Sequence, residues 1–195
     1  MLTDKAILEK AIKEKIASAE AAIITIDGID GCGKTTIADC LGEQLRIPVI
    51  HLDDYIEKNQ DGYVDFIRYD ELRNALKKAR DASSSIIVEG VCVLQVLENI
   101  DMTSDYKIYL WKIDNYGKFS DEYGKLYGNS SSLEEKLHVE EQQLHQFAKM
   151  SARIYGRPFK NDEVALPGLR RDILTYHWKY GPDKDADIVF GMHQE

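Results

Sequence analysis

Apolar positions along the chain recur with two alternating periods. Leu8, Ile12 and Ile16 stand four residues apart among lysines and glutamates, which predicts an amphipathic helix within residues 1–20, packed on the body of the protein. Residues 21–26 (AAIITI) form a short apolar run rich in β-branched side chains, the pattern of a strand covered on both faces, ending at Asp27 and Gly28. Ile37, Leu41 and Leu45 predict a helix over 36–46, and Pro48 then opens a second buried strand, 49–52, with Asp53 and Asp54 at its carboxyl end. The polar stretch 56–68 reads as a loop. A helix carrying Leu72, Ala75, Leu76 and Ala79 on one face follows, then a serine turn at 83–85.

A third strand, 86–88, stops at Glu89-Gly90, and a fourth covers 106–111. Residues 114–132, rich in Gly, Ser, Asn and Tyr, are predicted to be irregular and mobile. Leu133, Leu137, Leu144 and Phe147 mark the apolar face of a long helix ending near 156–158, and a last helix over 168–180 leads into a fifth strand at 187–190. Strands alternating with helices imply an α/β architecture. Its five-stranded, mainly parallel sheet has helices on both faces and a ligand crevice beyond the carboxyl ends of the strands.

Composition narrows the function classes. The 195 residues carry 34 acidic and 25 basic side chains, a net charge of −9, with 44% hydrophobic and 30% charged residues. This is a globular composition, expected to form one domain over 1–195 with its core in 22–190, and too acidic for a dedicated nucleic-acid binder. Cys32, Cys40 and Cys92 show neither metal-ligand spacing nor disulfide density, so a reducing, cytoplasmic setting is expected. No apolar run approaches the ~20 residues that cross a bilayer. The expected partner is a small-molecule substrate, with no nucleic acid and no membrane, and nothing in the sequence specifies an oligomeric state.

Chemistry concentrates at 28–35, GIDGCGKT, which satisfies G-x-x-x-x-G-K-[ST] between a predicted strand and a predicted helix. Gly28, Asp30, Gly31, Cys32, Gly33, Lys34, Thr35 and Thr36 are the candidate ATP-binding residues. Glycines let backbone N–H groups converge on phosphate oxygens, and the helix behind them presents about half a positive charge. Lys34 adds a full charge near the β and γ phosphates, and Thr35 offers a hydroxyl to Mg²⁺.

Phosphoryl transfer to a hydroxyl needs a carboxylate that orients the acceptor and takes its proton. Asp53 and Asp54 stand where one of them can serve, the other pointing elsewhere or joining the metal shell. Glu89, at the end of the third strand, is placed to hold Mg²⁺ or to bind acceptor hydroxyls. Thr35, Glu89 and Asp53 are therefore the candidate metal residues. Either Arg153 and Arg157 or Arg170 and Arg171 supply the guanidinium groups of a closing lid. Tyr63, Arg68 and Tyr69 are candidates for the acceptor pocket, with Arg68 either clasping an anionic group or lying at the surface. His51, His138 and His145 are assigned to no metal. The expected activity is ATP-dependent phosphotransfer, catalysed by Lys34, Asp53, Glu89, Arg153 and Arg157; the alternatives are a regulatory NTPase and an inert nucleotide-binding module.

Taken in order, 28–36 (GIDGCGKTT), 50–55 (IHLDDY), 86–91 (IIVEGV) and 186–190 (ADIVF) resemble the uridine kinase-like branch of P-loop kinases. The resemblance implies a three-layer P-loop NTPase fold with five parallel strands, ATP and Mg²⁺ as cofactors, and a nucleoside or ribosyl-like acceptor. It also implies a catalytic aspartate at Asp53, an acidic residue at Glu89 serving Mg²⁺ or substrate, and an arginine-bearing lid. The tight R-x-x-x-R-D lid motif is not clear here.

Overall fold

The computed structural model describes residues 1–18, 21–113, 126, 130–156, 158–159 and 164–193. Except for Leu126 and 130–132, the stretch expected to be irregular and mobile lies outside them, as does Arg157.

Five parallel strands form one sheet in the order β2-β3-β1-β4-β5: β1 Ala22–Gly28, β2 Val49–His51, β3 Ser85–Glu89, β4 Tyr106–Ile113 and β5 Ile188–His193. Every residue of β1 and of β3 is buried, as expected of strands whose apolar runs are covered on both faces, and the polar Thr25, Asp27, Ser85 and Glu89 are buried with them. Among the described residues the helices are α1 Lys5–Ser18, α2 Lys34–Leu45, α3 Tyr69–Ala82, α4 Val93–Glu98, α5 Leu133–Ile154 and α6 Gly168–Tyr180. This is the expected α/β fold. Leu8 and Ile12 bury α1 in the core. Ahead of it, Leu2 pairs in parallel with Phe190 and covers the free edge of β5.

β1 ends at Asp27 and Gly28 as expected, with the Asp27 carboxylate accepting from Gly28 N–H inside the protein. Three expectations need correction. β2 ends at His51, and Leu52–Tyr55 form a 3-10 turn that carries both aspartates. The short helix α4 fills a region where no element was predicted. Finally, Phe147 does not face the core: it is 65% exposed, and Met150 and Ile154 nearby are exposed as well. The buried residues of α5 are Lys136 and Glu140, paired with each other at 3.7 Å, while Glu140 also pairs with Arg170 of α6. The pairs Glu140–Arg170 and Glu141–Arg171 link α5 to α6, while Leu137 packs against the core.

Candidate active site

The parallel register brings three strand ends to one edge of the sheet. Glu89 is the register partner of Ile26 on β1 and of His51 on β2, so its side chain emerges beside the loop that leaves β1. That loop turns into α2 at Gly33, whose left-handed backbone (φ 88°) is open to glycine and strained for other residues. Lys34 begins α2 and is buried, with Nζ donating to the Ile29 carbonyl at 2.9 Å across the loop. Asp30, Gly31, Thr35 and Thr36 are exposed at the mouth. The Cys32 side chain turns inward, and burial pushes its thiol up to about 11, so it packs as a small apolar group and offers the loop only its backbone N–H.

The Thr35 hydroxyl donates to Glu89 Oε1 at 3.2 Å, and the same oxygen lies 2.7 Å from His51 Nδ1. His51 Nε2 reaches Asp39 of α2 at 3.2 Å. Burial works to lower the His51 pKa, but the hydrogen bond and charge of Glu89, with Asp39 and Asp54, prevail and raise it. This Asp39–His51–Glu89 chain went unrecognised in the sequence. Its one signal is that His51 precedes Asp53 by two residues at a strand end. The Thr35 hydroxyl and the Glu89 carboxylate are hard oxygen ligands in contact at the loop mouth, which suits Mg²⁺: that ion takes one or two protein oxygens and completes its shell with phosphates and water. Among the described residues, no group of three or more His, Cys, Asp or Glu side chains is arranged to hold a metal ion by itself.

Beneath the loop, the fully buried Asp27 accepts hydrogen bonds from Gly28 N–H at 2.7 Å and from the Tyr176 hydroxyl of α6. Burial pushes its carboxyl up to about 6, against the lowering pull of Tyr176, Gly28 and the Lys34 charge.

Asp53 is exposed on its 3-10 turn and accepts a 2.8 Å hydrogen bond from the Tyr63 hydroxyl. The phenol is buried, and burial together with the Asp53 charge pushes its pKa far up, so it stays protonated and acts as a donor. The Asp54 carbonyl accepts from Arg68. Arg68 donates to the carbonyls of Asp54 and Ile56, each at 2.7 Å, and pairs with Glu71 at 3.0 Å. It braces the turn that holds the aspartates. Tyr69 donates to the Val64 carbonyl at 2.8 Å, supporting the same loop.

Of the four candidate lid arginines, Arg170 and Arg171 sit in the first turn of α6 and pair with Glu140 and Glu141 of α5. Arg153 is exposed in the last turn of α5. Asp172, next to Arg171, accepts from the backbone N–H of both Tyr63 and Val64. No helix among the described residues is long and apolar enough to cross a membrane.

Residues 30–165 match the model of the shikimate kinase family. Among solved structures, the chain is similar to a possible uridine kinase from Bacillus stearothermophilus (18% identity, TM-score 0.46, covering 93% of this chain and 96% of that one). It is also similar to a putative fructose transport system kinase from Silicibacter sp. TM1040 (13%, TM-score 0.46, 96% and 98%). A third similarity is to shikimate kinase from Bacteroides thetaiotaomicron (18%, TM-score 0.38, 87% and 85%). No curated protein matches the sequence.

Proposed function

The chain belongs to the shikimate kinase family, and from that premise we propose that it moves the γ-phosphoryl group of ATP to a hydroxyl of a small molecule. The observation that carries this reading is the Glu89 carboxylate 3.2 Å from the Thr35 hydroxyl, which brings an oxygen ligand from β3 onto the phosphate loop. The uridine kinase-like resemblance adds nucleosides and other ribosyl compounds to the acceptors to be tried alongside shikimate.

In this reading the N–H groups of 28–36 bind the phosphate chain at the α2 N-terminus, where the helix dipole favours anions. Lys34 exchanges the Ile29 carbonyl for a phosphate oxygen. Thr35 and Glu89 would hold Mg²⁺, which when bound neutralises charge building on the β and γ oxygens. His51, backed by Asp39, keeps the Glu89 carboxylate turned toward Thr35. Asp53 orients the acceptor hydroxyl and receives its proton as the oxygen attacks phosphorus. Arg153 and Arg157 are the proposed cations for the transferring group, Arg170 and Arg171 being engaged with glutamates.

The test is a coupled ADP-release assay with ATP, Mg²⁺ and a panel of nucleosides, vitamin ribosides, pantothenate, sugar phosphates and shikimate. One or more acceptors should raise turnover above water hydrolysis. Lys34→Ala should abolish the signal, and Asp53→Asn should retain ATP binding while losing transfer by about 10²-fold or more. Equal loss of binding and transfer in Asp53→Asn, or normal turnover, would remove Asp53 from the role.

A further inference from the structure

The buried phenol beside Asp53 has no part in phosphate or metal binding, yet three separate features of the chain converge to hold it there. Its hydroxyl donates to Asp53 Oδ1 at 2.8 Å while its ring is only 4% exposed. Room for it exists because residue 90 lacks a side chain: a Cβ on Gly90 would fall 2.9 Å from the Tyr63 hydroxyl and 2.8 Å from Leu52 Cβ. Its backbone is fixed from α6, where Asp172 Oδ2 accepts from Tyr63 N–H at 2.7 Å and from Val64 N–H at 3.2 Å. A reciprocal bond, Gly168 N–H to Asp61 Oδ1 at 2.6 Å, ties the same two segments a second time.

We propose that Tyr63, clamped by Asp172, is a positioning residue that pins one oxygen of Asp53 and leaves the other turned to the acceptor hydroxyl. The proposal rests on the reading of Asp53 as the proton acceptor. A carboxylate on an exposed turn otherwise rotates freely, whereas proton transfer requires the receiving oxygen within about 2.6–3.2 Å of the hydroxyl. A misplacement near 1 Å costs on the order of 10²-fold in rate. The phenol donates to Asp53 but does not exchange a proton with it, so it fixes geometry without taking part in the transfer. Asp172 thereby earns its place in α6: it shapes the loop from 61 to 64 so that the ring enters the space above Gly90.

Water serves as the acceptor for the test, read as ADP released from Mg²⁺-ATP by the full chain, and the best acceptor of the panel serves as a second. Tyr63→Phe keeps the ring and removes the donor; kcat should fall about 10-fold or more, with the Kd for ATP unchanged by calorimetry. Gly90→Ala, which drives the phenol aside, should lose kcat in the same way. Asp172→Asn keeps an acceptor oxygen for both N–H groups and should recover most of what Asp172→Ala loses. A purely structural role would lower the melting temperature in each variant without this split between kcat and ATP affinity. Wild-type kcat in Tyr63→Phe, with Asp53→Asn inactive, overturns the positioning role and leaves Asp53 as the base. Normal turnover in Asp53→Asn overturns the underlying reading instead.

Discussion

A carboxylate's neighbours decide whether it binds metal, takes a proton or holds structure, and the function proposed above assigns one of each near the phosphate loop. Glu89 is held by Thr35 and His51, Asp53 by Tyr63, and Asp27 by Tyr176 and Gly28. Glu89→Gln preserves the shape and the acceptor oxygen for Thr35 but removes the charge. Its apparent Mg²⁺ affinity should fall about 10- to 100-fold, the usual effect of disturbing a metal's protein shell, as read from a Mg²⁺ titration of turnover at fixed ATP. An unchanged Mg²⁺ requirement would return Glu89 to a purely structural part. The loop, Glu89 and Asp53 were legible in the sequence because each stands at the end of an apolar run and local chemistry marks it. Their partners were not: Tyr63 lies ten residues from Asp53, His51 thirty-eight from Glu89 and Tyr176 one hundred and forty-nine from Asp27. No local pattern encodes contacts that folding alone creates.

Periodicity identified most elements correctly because buried strands and two-turn stripes are strong signals, and it failed where other forces govern. α4 is only six residues long and follows Cys92 in a left-handed conformation, so its run VLQVLE shows no resolvable helical period. In α5 the stripe is partly buried at Leu137 but exposed at Phe147, whereas Lys136 and Glu140, polar in sequence, are buried, and Glu140 pairs with Arg170 of α6. Removing one member of a buried ion pair leaves the other charge uncompensated, typically at about 3–5 kcal/mol. Glu140→Ala should therefore destabilise the protein by about 3 kcal/mol, while Phe147→Ser should change stability by about 0.5 kcal/mol or less, as exposed positions do. Urea unfolding midpoints at constant slope check both, and the reverse ranking would place the apolar stripe in the packed interface after all.

Across the whole molecule, α6 is fastened to the sheet by two adjacent side chains whose titrations oppose each other. Tyr176 donates to Asp27 beneath the phosphate loop, and His177 lies 2.6 Å from the Tyr109 hydroxyl through Nε2 while Nδ1 faces the Ile173 carbonyl at 2.7 Å. Burial pushes Asp27 up to about 6 and His177 down to about 4. Folded Asp27 thus holds its proton more firmly than the unfolded chain does, so its contribution is complete below about pH 4 and is lost as pH rises through 6. Folded His177 resists its proton, so its contribution is complete above about pH 6.5 and is lost as pH falls through 4. Each shift is worth about 3 kcal/mol, and over pH 4–6.5 the two slopes nearly cancel. Asp27→Asn should expose the histidine alone, so that stability relative to wild type rises with pH across this window. His177→Asn should do the opposite, and comparing each variant with wild type removes the contributions of the surface carboxylates. Denaturant unfolding at pH 4, 5 and 6.5 measures both; parallel profiles for wild type and Asp27→Asn would mean that Asp27 titrates alike in the folded and unfolded chain. At neutral pH the balance leaves Asp27 charged below Lys34 and His177 neutral in the core, so the cation of the phosphate loop stands above a compensating carboxylate when nucleotide arrives.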